Sequence, residues 1–172
     1  MKRFRLVSAF QIFDERPHMT TDPLRLVIFD CDGTLVDSQH AIAHCMDHAF
    51  AQHGLDCPGL ENTRTIIGLS LPEAITKLAS PARVDEDIIA AVTAAYKTAF
   101  FTLRQTPDFH EPLFPGVHEV LMEIDGRKWL SGVATGKARR GLDAVLARNE
   151  LEGRFVTLQT CDNHPSKPNP AM

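Results

Sequence analysis

The chain has no long apolar run, no excess of positive charge and no cysteine framework, and each absence removes a class of function. Its longest apolar stretch, around Ile88–Tyr96, falls far short of the roughly 20 residues a membrane helix needs. With 18 basic and 22 acidic residues the formal net charge is −4, so neither nucleic acid nor an anionic membrane is an expected partner. Cys31, Cys45, Cys57 and Cys161 show neither paired metal-ligand spacing nor the density of a disulfide scaffold. Free thiols in a reducing cytoplasm are the expectation. What remains is an ordinary globular composition, 44% hydrophobic and 23% charged over 172 residues. That length suits one domain, or a core with a small insertion.

Residues 26–38 read Leu-Val-Ile-Phe-Asp-Cys-Asp-Gly-Thr-Leu-Val-Asp-Ser. An apolar run on consecutive positions predicts a strand buried on both faces, as in a parallel α/β sheet. Ligands of such sheets sit outside the carboxyl ends of the strands. Asp30 and Asp32 lie where this strand ends, and alternation sends them to the same side. Two carboxylates this close repel unless a cation or a proton separates them, so the pair asks for a metal, a shared proton, or both. Asp-Gly-Thr after a strand is also ordinary turn chemistry, with glycine supplying a positive φ.

The rest of the pattern is β, a long helical stretch, then αβαβ. Leu24–Phe29 is the predicted first strand. Ser38–His53, Thr63–Ala79 and Val84–Phe101 read as amphipathic helices, with Pro72 in a first turn and Pro81 at a break. Leu113-Phe114-Pro115-Gly116-Val117 marks a re-entry, His118–Ile124 a helix, Trp129–Gly136 a strand and turn, Arg139–Asn149 a helix and Phe155–Leu158 a short strand. An insertion directly after a catalytic-looking turn is placed to act as a lid. Met1–His18 has basic residues followed by a short apolar part broken by Gln11, without the cleavage site of a signal peptide. It reads as a disordered extension or an over-extended start ahead of Met19, with 1–23 taken as the N-terminal extension.

Other polar groups are ambiguous alone. Thr135, followed by Gly136 at a strand-to-helix turn, could hold phosphate oxygens or only cap a helix. Lys167, in Ser-Lys-Pro-Asn-Pro, reads in isolation as a surface lysine. Lys137 could reach a substrate carboxylate or lie on an exposed helix, and Arg64 could approach substrate or stay on the surface. His40, His44 and His48 span about 80° of one helix face opposite Ile42, Cys45, Met46 and Ala49, which favours a solvated stripe over a metal site.

Taken together, Phe29-Asp30-Cys31-Asp32-Gly33-Thr34-Leu35-Val36-Asp37-Ser38, a threonine after a later strand, and a lysine before Pro-x-Pro resemble the phosphatases of the haloacid dehalogenase superfamily. The size of the insertion and the Phe114-Pro115-Gly116 re-entry resemble its helical-cap subclass. Thr63–Ser70 is similar to the cap segment of phosphoglycolate-phosphatase-like members. The resemblance covers Leu24–Met172. It implies a Rossmann-like, three-layer parallel-sheet core over 24–37 and 114–172, with a helical cap over 38–113. It also implies a cytoplasmic, Mg²⁺-dependent phosphatase for a small phosphorylated metabolite. Asp30 would be the nucleophile, Asp32 the acid and base, and Lys167 the cation beside Asp30. Thr135 and Gly136 would be phosphate ligands, with Arg64 and Lys137 towards the substrate. Asp30 and the Asp32 carbonyl would contribute to the metal site. An acid at position 32 separates this branch from the dehalogenases proper.

A β-phosphoglucomutase-like mutase is the second reaction, and a non-catalytic phosphate-binding remnant the second class. A signalling receiver domain also has an acidic pocket, but runs βαβα without such an insertion. The resemblance further implies a fourth, acidic motif on a following strand. The sequence ends five residues after Lys167 with no acid among them. The expectation is a sequence cut before that motif, which would leave Leu26–Phe29 as an apolar, unpaired edge.

Overall fold

The structure, a computed structural model, describes residues 23–82 and 84–172. The expected N-terminal extension therefore lies, but for Pro23, outside the described residues. Three strands, β1 (Leu26–Phe29), β2 (Leu130–Thr135) and β3 (Thr157–Thr160), form a parallel sheet in the order β1-β2-β3. Leu26 stands opposite Leu130, Phe29 opposite Val133, and Thr135 opposite Thr160. All three carboxyl ends consequently lie at one edge of the sheet. Helices α5 (Val117–Gly126) and α6 (Arg139–Arg148) complete the expected α/β order. Phe29, Cys31, Leu121, Val133, Leu142, Val145, Leu146 and Phe155 build one core between sheet and helices.

Between β1 and α5 the chain runs through α1 (Gln39–Gln52), α2 (Gly59–Arg64), α3 (Leu71–Ala79) and α4 (Glu86–Arg104). These helices have apolar clusters of their own, one around Met46, Phe50, Ile75 and Val92, another around Ile42, Cys45 and Phe100. The two connections to this insertion lie side by side. Asp37 N donates to Pro112 O at 2.8 Å, and Phe114 N donates to Leu35 O at 3.0 Å.

Three expectations are corrected. The single helix over Thr63–Ala79 is two helices. Gly68, at φ +95°, turns the chain between them, and a proline in the first turn of α3 marks the new start. The third strand lies two residues later than its apolar letters suggest, because Phe155 is spent in the core, edge-on to Phe29, while the polar Thr157–Thr160 make the ladder. The first strand is not buried on both faces. Leu26 and Ile28 are 48% and 57% exposed, since β1 pairs only with β2 and one of its faces is uncovered among the described residues. His40, His44 and His48 are all exposed, as a solvated stripe requires. All four cysteines are free thiols, and among the described residues no helix is long and apolar enough to cross a membrane.

Candidate active site

The turn after β1 aims both acids. Cys31 O accepts the amides of Thr34, Leu35 and Val36, while Gly33, at φ +78°, closes the turn by donating to Val36 O. This coil buries Cys31, Leu35 and Val36 and leaves Asp30 and Asp32 at the carboxyl end of the sheet. Asp30 Oδ1 accepts from the Cys31 amide at 2.7 Å, and its Oδ2 lies 2.8 Å from Lys167 Nζ. A lysine that reads as surface in isolation is thus the cation on Asp30.

Asp32 is held differently. Its Oδ1 accepts from Ser38 Oγ and from Lys137 Nζ, both at 2.7 Å, and its Oδ2 has no hydrogen-bond partner among the described residues. Lys137 therefore does not lie on an exposed helix; its ammonium is paired with Asp32 Oδ1. Its side chain is 10% exposed, between Asp32 and, at 3.4 Å, Glu111 Oε1. Burial alone would lower its pKa, but the charges of Asp32 and Glu111 outweigh that and hold it above the usual lysine value. Glu111 continues the chain of charge to Arg104 Nη2 at 3.3 Å.

Thr135 ends β2, where its hydroxyl accepts the Lys137 amide at 3.2 Å and donates to no protein acceptor among the described residues. It does not cap α6. Ala138 occupies that position, and Asp162 Oδ2 takes the free Arg139 amide at 2.6 Å. Gly136 is under the insertion: a Cβ there would run into the carbonyl oxygens of Gly68 and Leu69. The same loop crosses Asp30, since a Cβ on Gly68 would stand 3.1 Å from Asp30 Oδ2. It is fastened to the Lys167 loop by Ser70 N donating to Ser166 Oγ at 2.8 Å.

The structure thus gathers Asp30, Asp32, Thr135, Gly136, Lys137 and Lys167 at one place. Arg64 is not among them, because its guanidinium bonds Gln39 and Glu61 on the exposed side of the insertion. Glu111, Arg104 and Ser38 went unnoticed in the sequence. Only the oddity of a charged residue inside Phe-His-Glu-Pro-Leu-Phe could have flagged Glu111. A concavity of about 430 Å³ lies elsewhere, on the insertion between Phe50, Leu55, Asn62 and Lys77, and contains none of these acids.

No group of three or more His, Cys, Asp or Glu among the described residues could hold a metal ion. The donors present are all oxygens: the Asp30 carboxylate and the Asp32 main-chain carbonyl, which accepts no backbone hydrogen bond among the described residues. That set fits Mg²⁺, which binds through one or two carboxylates and keeps waters and substrate phosphate in its shell.

A family model described as haloacid dehalogenase-like hydrolase matches residues 27–172. The chain is 34% identical over 151 residues to the probable phosphatase IndB of Dickeya dadantii, covering 86% of this chain and 64% of that protein. It is 30% identical to a phosphoglycolate phosphatase of Pseudomonas syringae pv. syringae, covering 86% and 54%. The chain therefore spans about half to two thirds of the length of the curated relatives it matches. Among solved structures, a predicted phosphoglycolate phosphatase of Haemophilus somnus superposes with a TM-score of 0.70 at 22% identity, over 86% of this chain and 68% of that one, a likeness of fold. A Bacteroides vulgatus structure named for β-phosphoglucomutase gives 0.69 at 26% identity, over 86% and 59%.

Proposed function

We propose that this chain, which belongs to the haloacid dehalogenase-like hydrolases, serves a Mg²⁺-dependent phosphatase reaction on a small, phosphoglycolate-like metabolite in the cytoplasm. The observation that carries the proposal is the 2.8 Å pair of Lys167 with Asp30, two residues from an Asp32 that is anchored by one oxygen and, among the described residues, unpartnered at the other. The phosphatase names of the relatives support it.

In this reading an Asp30 oxygen attacks phosphorus and the ester P–O bond breaks, while Asp32 Oδ2 gives its proton to the departing alkoxide. The product half is an aspartyl-phosphate on Asp30. Asp32, now a carboxylate, takes a proton from water as the water oxygen attacks the same phosphorus. The bond to Asp30 then breaks and inorganic phosphate leaves. Lys167 and the Thr135 hydroxyl offset charge on the phosphoryl oxygens. Mg²⁺, held by Asp30 and the Asp32 carbonyl, would supply further positive charge to those oxygens.

Borohydride added during turnover of 2-phosphoglycolate reduces an acyl phosphate to the alcohol, so homoserine at position 30 is the expected product in peptide mass spectra. Asp30→Asn is expected to lose both the product and the turnover; turnover that survives this substitution would remove the nucleophile. The likeness to the Bacteroides vulgatus structure favours one second reading, transfer of the phosphoryl group to a sugar hydroxyl instead of water. An isomeric sugar phosphate in place of inorganic phosphate would identify that reaction.

A further inference from the structure

We propose that Glu111 is a positioning residue: as the second anion on the Lys137 ammonium, it keeps Lys137 on Asp32 Oδ1 and leaves Oδ2, which has no partner among the described residues, for proton transfer. The inference rests on Asp32 being the acid and base of the proposed reaction. Glu111 lies in the return connection from the insertion, and its side chain is 1% exposed. Its two oxygens are divided, Oε1 at 3.4 Å from Lys137 Nζ and Oε2 at 3.3 Å from Arg104 Nη2. Its main-chain carbonyl is also held, accepting from Asn149 Nδ2 at 3.2 Å.

Arg104, Glu111, Lys137 and Asp32 thus form a row of alternating charge away from water. The ring of Phe100 lies 4.6 Å from the Arg104 guanidinium and 5.5 Å from the Lys137 ammonium, an apolar floor that both cations share. A lysine has four rotatable carbons and a compact charge, so one anion alone does not fix where its ammonium rests. Contacts to two anions, Asp32 Oδ1 at 2.7 Å and Glu111 Oε1 at 3.4 Å, restrict it. Ser38 Oγ adds a second donor to the same Asp32 oxygen, so both donors occupy Oδ1 and Oδ2 keeps no hydrogen-bond partner among the described residues. None of the roles inferred for the reaction requires a buried carboxylate at 111. A residue that only tied α4 to the core would not need to divide its oxygens between that helix and the partner of the acid.

The test compares kcat/KM, which reports events up to loss of the leaving group, on an alkyl and an aryl ester. 2-Phosphoglycolate needs its leaving oxygen protonated, whereas p-nitrophenyl phosphate releases a stable anion. Positioned acids contribute about 10²–10⁴-fold, so Glu111→Gln is expected to lose on the order of tenfold on phosphoglycolate and at most about twofold on the aryl ester. Asp32→Asn should show the same split, larger. Equal losses from Glu111→Gln on both esters, or none, overturn the proposal. Acylation of Lys137 by acetic anhydride, followed by peptide mass spectrometry, needs no turnover. Its rate should rise several-fold in Glu111→Gln, and an unchanged rate overturns the proposal independently. Should Glu111→Gln not fold, Glu111→Asp withdraws the carboxylate by one methylene and is expected to give the same signs with smaller amplitude. No turnover on either ester, or an Asp32→Asn loss without the split, counts against the phosphatase reading, and the acylation rate then decides the role of Glu111 alone.

Discussion

Replacing Gly136 by alanine adds one methyl group at the point where the insertion meets the sheet. Gly136 is not in the left-handed region, so alanine brings no backbone strain, and the amide that could serve a phosphate oxygen remains. What changes is steric. The added carbon would overlap the carbonyl oxygens of Gly68 and Leu69, which are backbone atoms and cannot rotate away. Overpacking of this kind costs about 1–3 kcal/mol. The strain is relieved if the 66–70 loop lifts, breaking the Ser70–Ser166 hydrogen bond and leaving Asp30 uncovered. If the reaction needs the loop down, that energy lowers the closed population, and kcat/KM on phosphoglycolate falls about 5- to 150-fold. The protein as a whole stays folded with the loop raised. Lifting the loop caps the loss of stability at the cost of its broken contacts, so the melting temperature should fall by less than the full 1–3 kcal/mol would give at roughly 2–4 °C per kcal/mol in a chain of this size. Steady-state kinetics and calorimetry on parent and Gly136→Ala read both quantities. A kcat/KM within twofold of the parent, or a large loss of melting temperature with kinetics unchanged, would refute the role given to this contact.

Lys167→Met should lower kcat about 10²-fold or more, the usual loss when one charge-stabilising donor is removed, because among the described residues Asp30 pairs with no other side-chain cation; a smaller loss in single-turnover assays would place the phosphoryl charge elsewhere. The buried thiols set an alkaline limit. Burial pushes Cys45 from 9.0 up to about 12, and Cys31 is pushed up further still, by burial first and then by Asp32. Above pH 9 the unfolded chain releases these protons while the folded chain keeps them, so stability falls as pH rises, by at most about 1.4 kcal/mol per pH unit per thiol. Denaturant titrations between pH 9 and 11 should show a shallower fall in Cys45→Ala, and parallel slopes would contradict the assignment.

The parallel order of the core was legible because β2 has apolar side chains on a run bounded by turn residues and because Asp30-Cys31-Asp32-Gly33-Thr34 marks where β1 stops. Asp30 and Lys167 could be paired across 137 positions only through the resemblance, and the structure pairs them. The break between α2 and α3 is not legible because Ile67, Leu71, Ala74 and Leu78 keep helical spacing across Gly68, and periodicity does not register a loop whose backbone packs on another part of the chain. The burial of Lys137 is not legible for a related reason: a polar letter near a helix start fits either an exposed position or a substrate contact, and Glu111, which lies 26 positions earlier, approaches only through the return connection. Beyond being a charged letter in an apolar stretch, Glu111 carries no local signal of its role, since both its charge partners are set by tertiary packing.

The topology explains why two acids so close in sequence receive such different neighbours. The insertion leaves and rejoins the core through adjacent connections, and both its 66–70 loop and its return connection reach the end of β1. The 66–70 loop covers Asp30, with Ile67 over Gly33 and Gly68 over the carboxylate. The end of α4 and the return connection instead supply Arg104 and Glu111, which act on Asp32 through Lys137. The loop is tied down at Gly136 and Ser166, on the β2 and Lys167 side. The return connection is tied to the β1 turn itself, by the Asp37–Pro112 and Leu35–Phe114 hydrogen bonds. Lifting the loop therefore breaks contacts with Asp30 without requiring any of those around Asp32 to break. A nucleophile must be uncovered for the ester to reach it and for phosphate to leave. The acid has to serve both half-reactions from one position, and the fold attaches it to the part of the insertion that need not move.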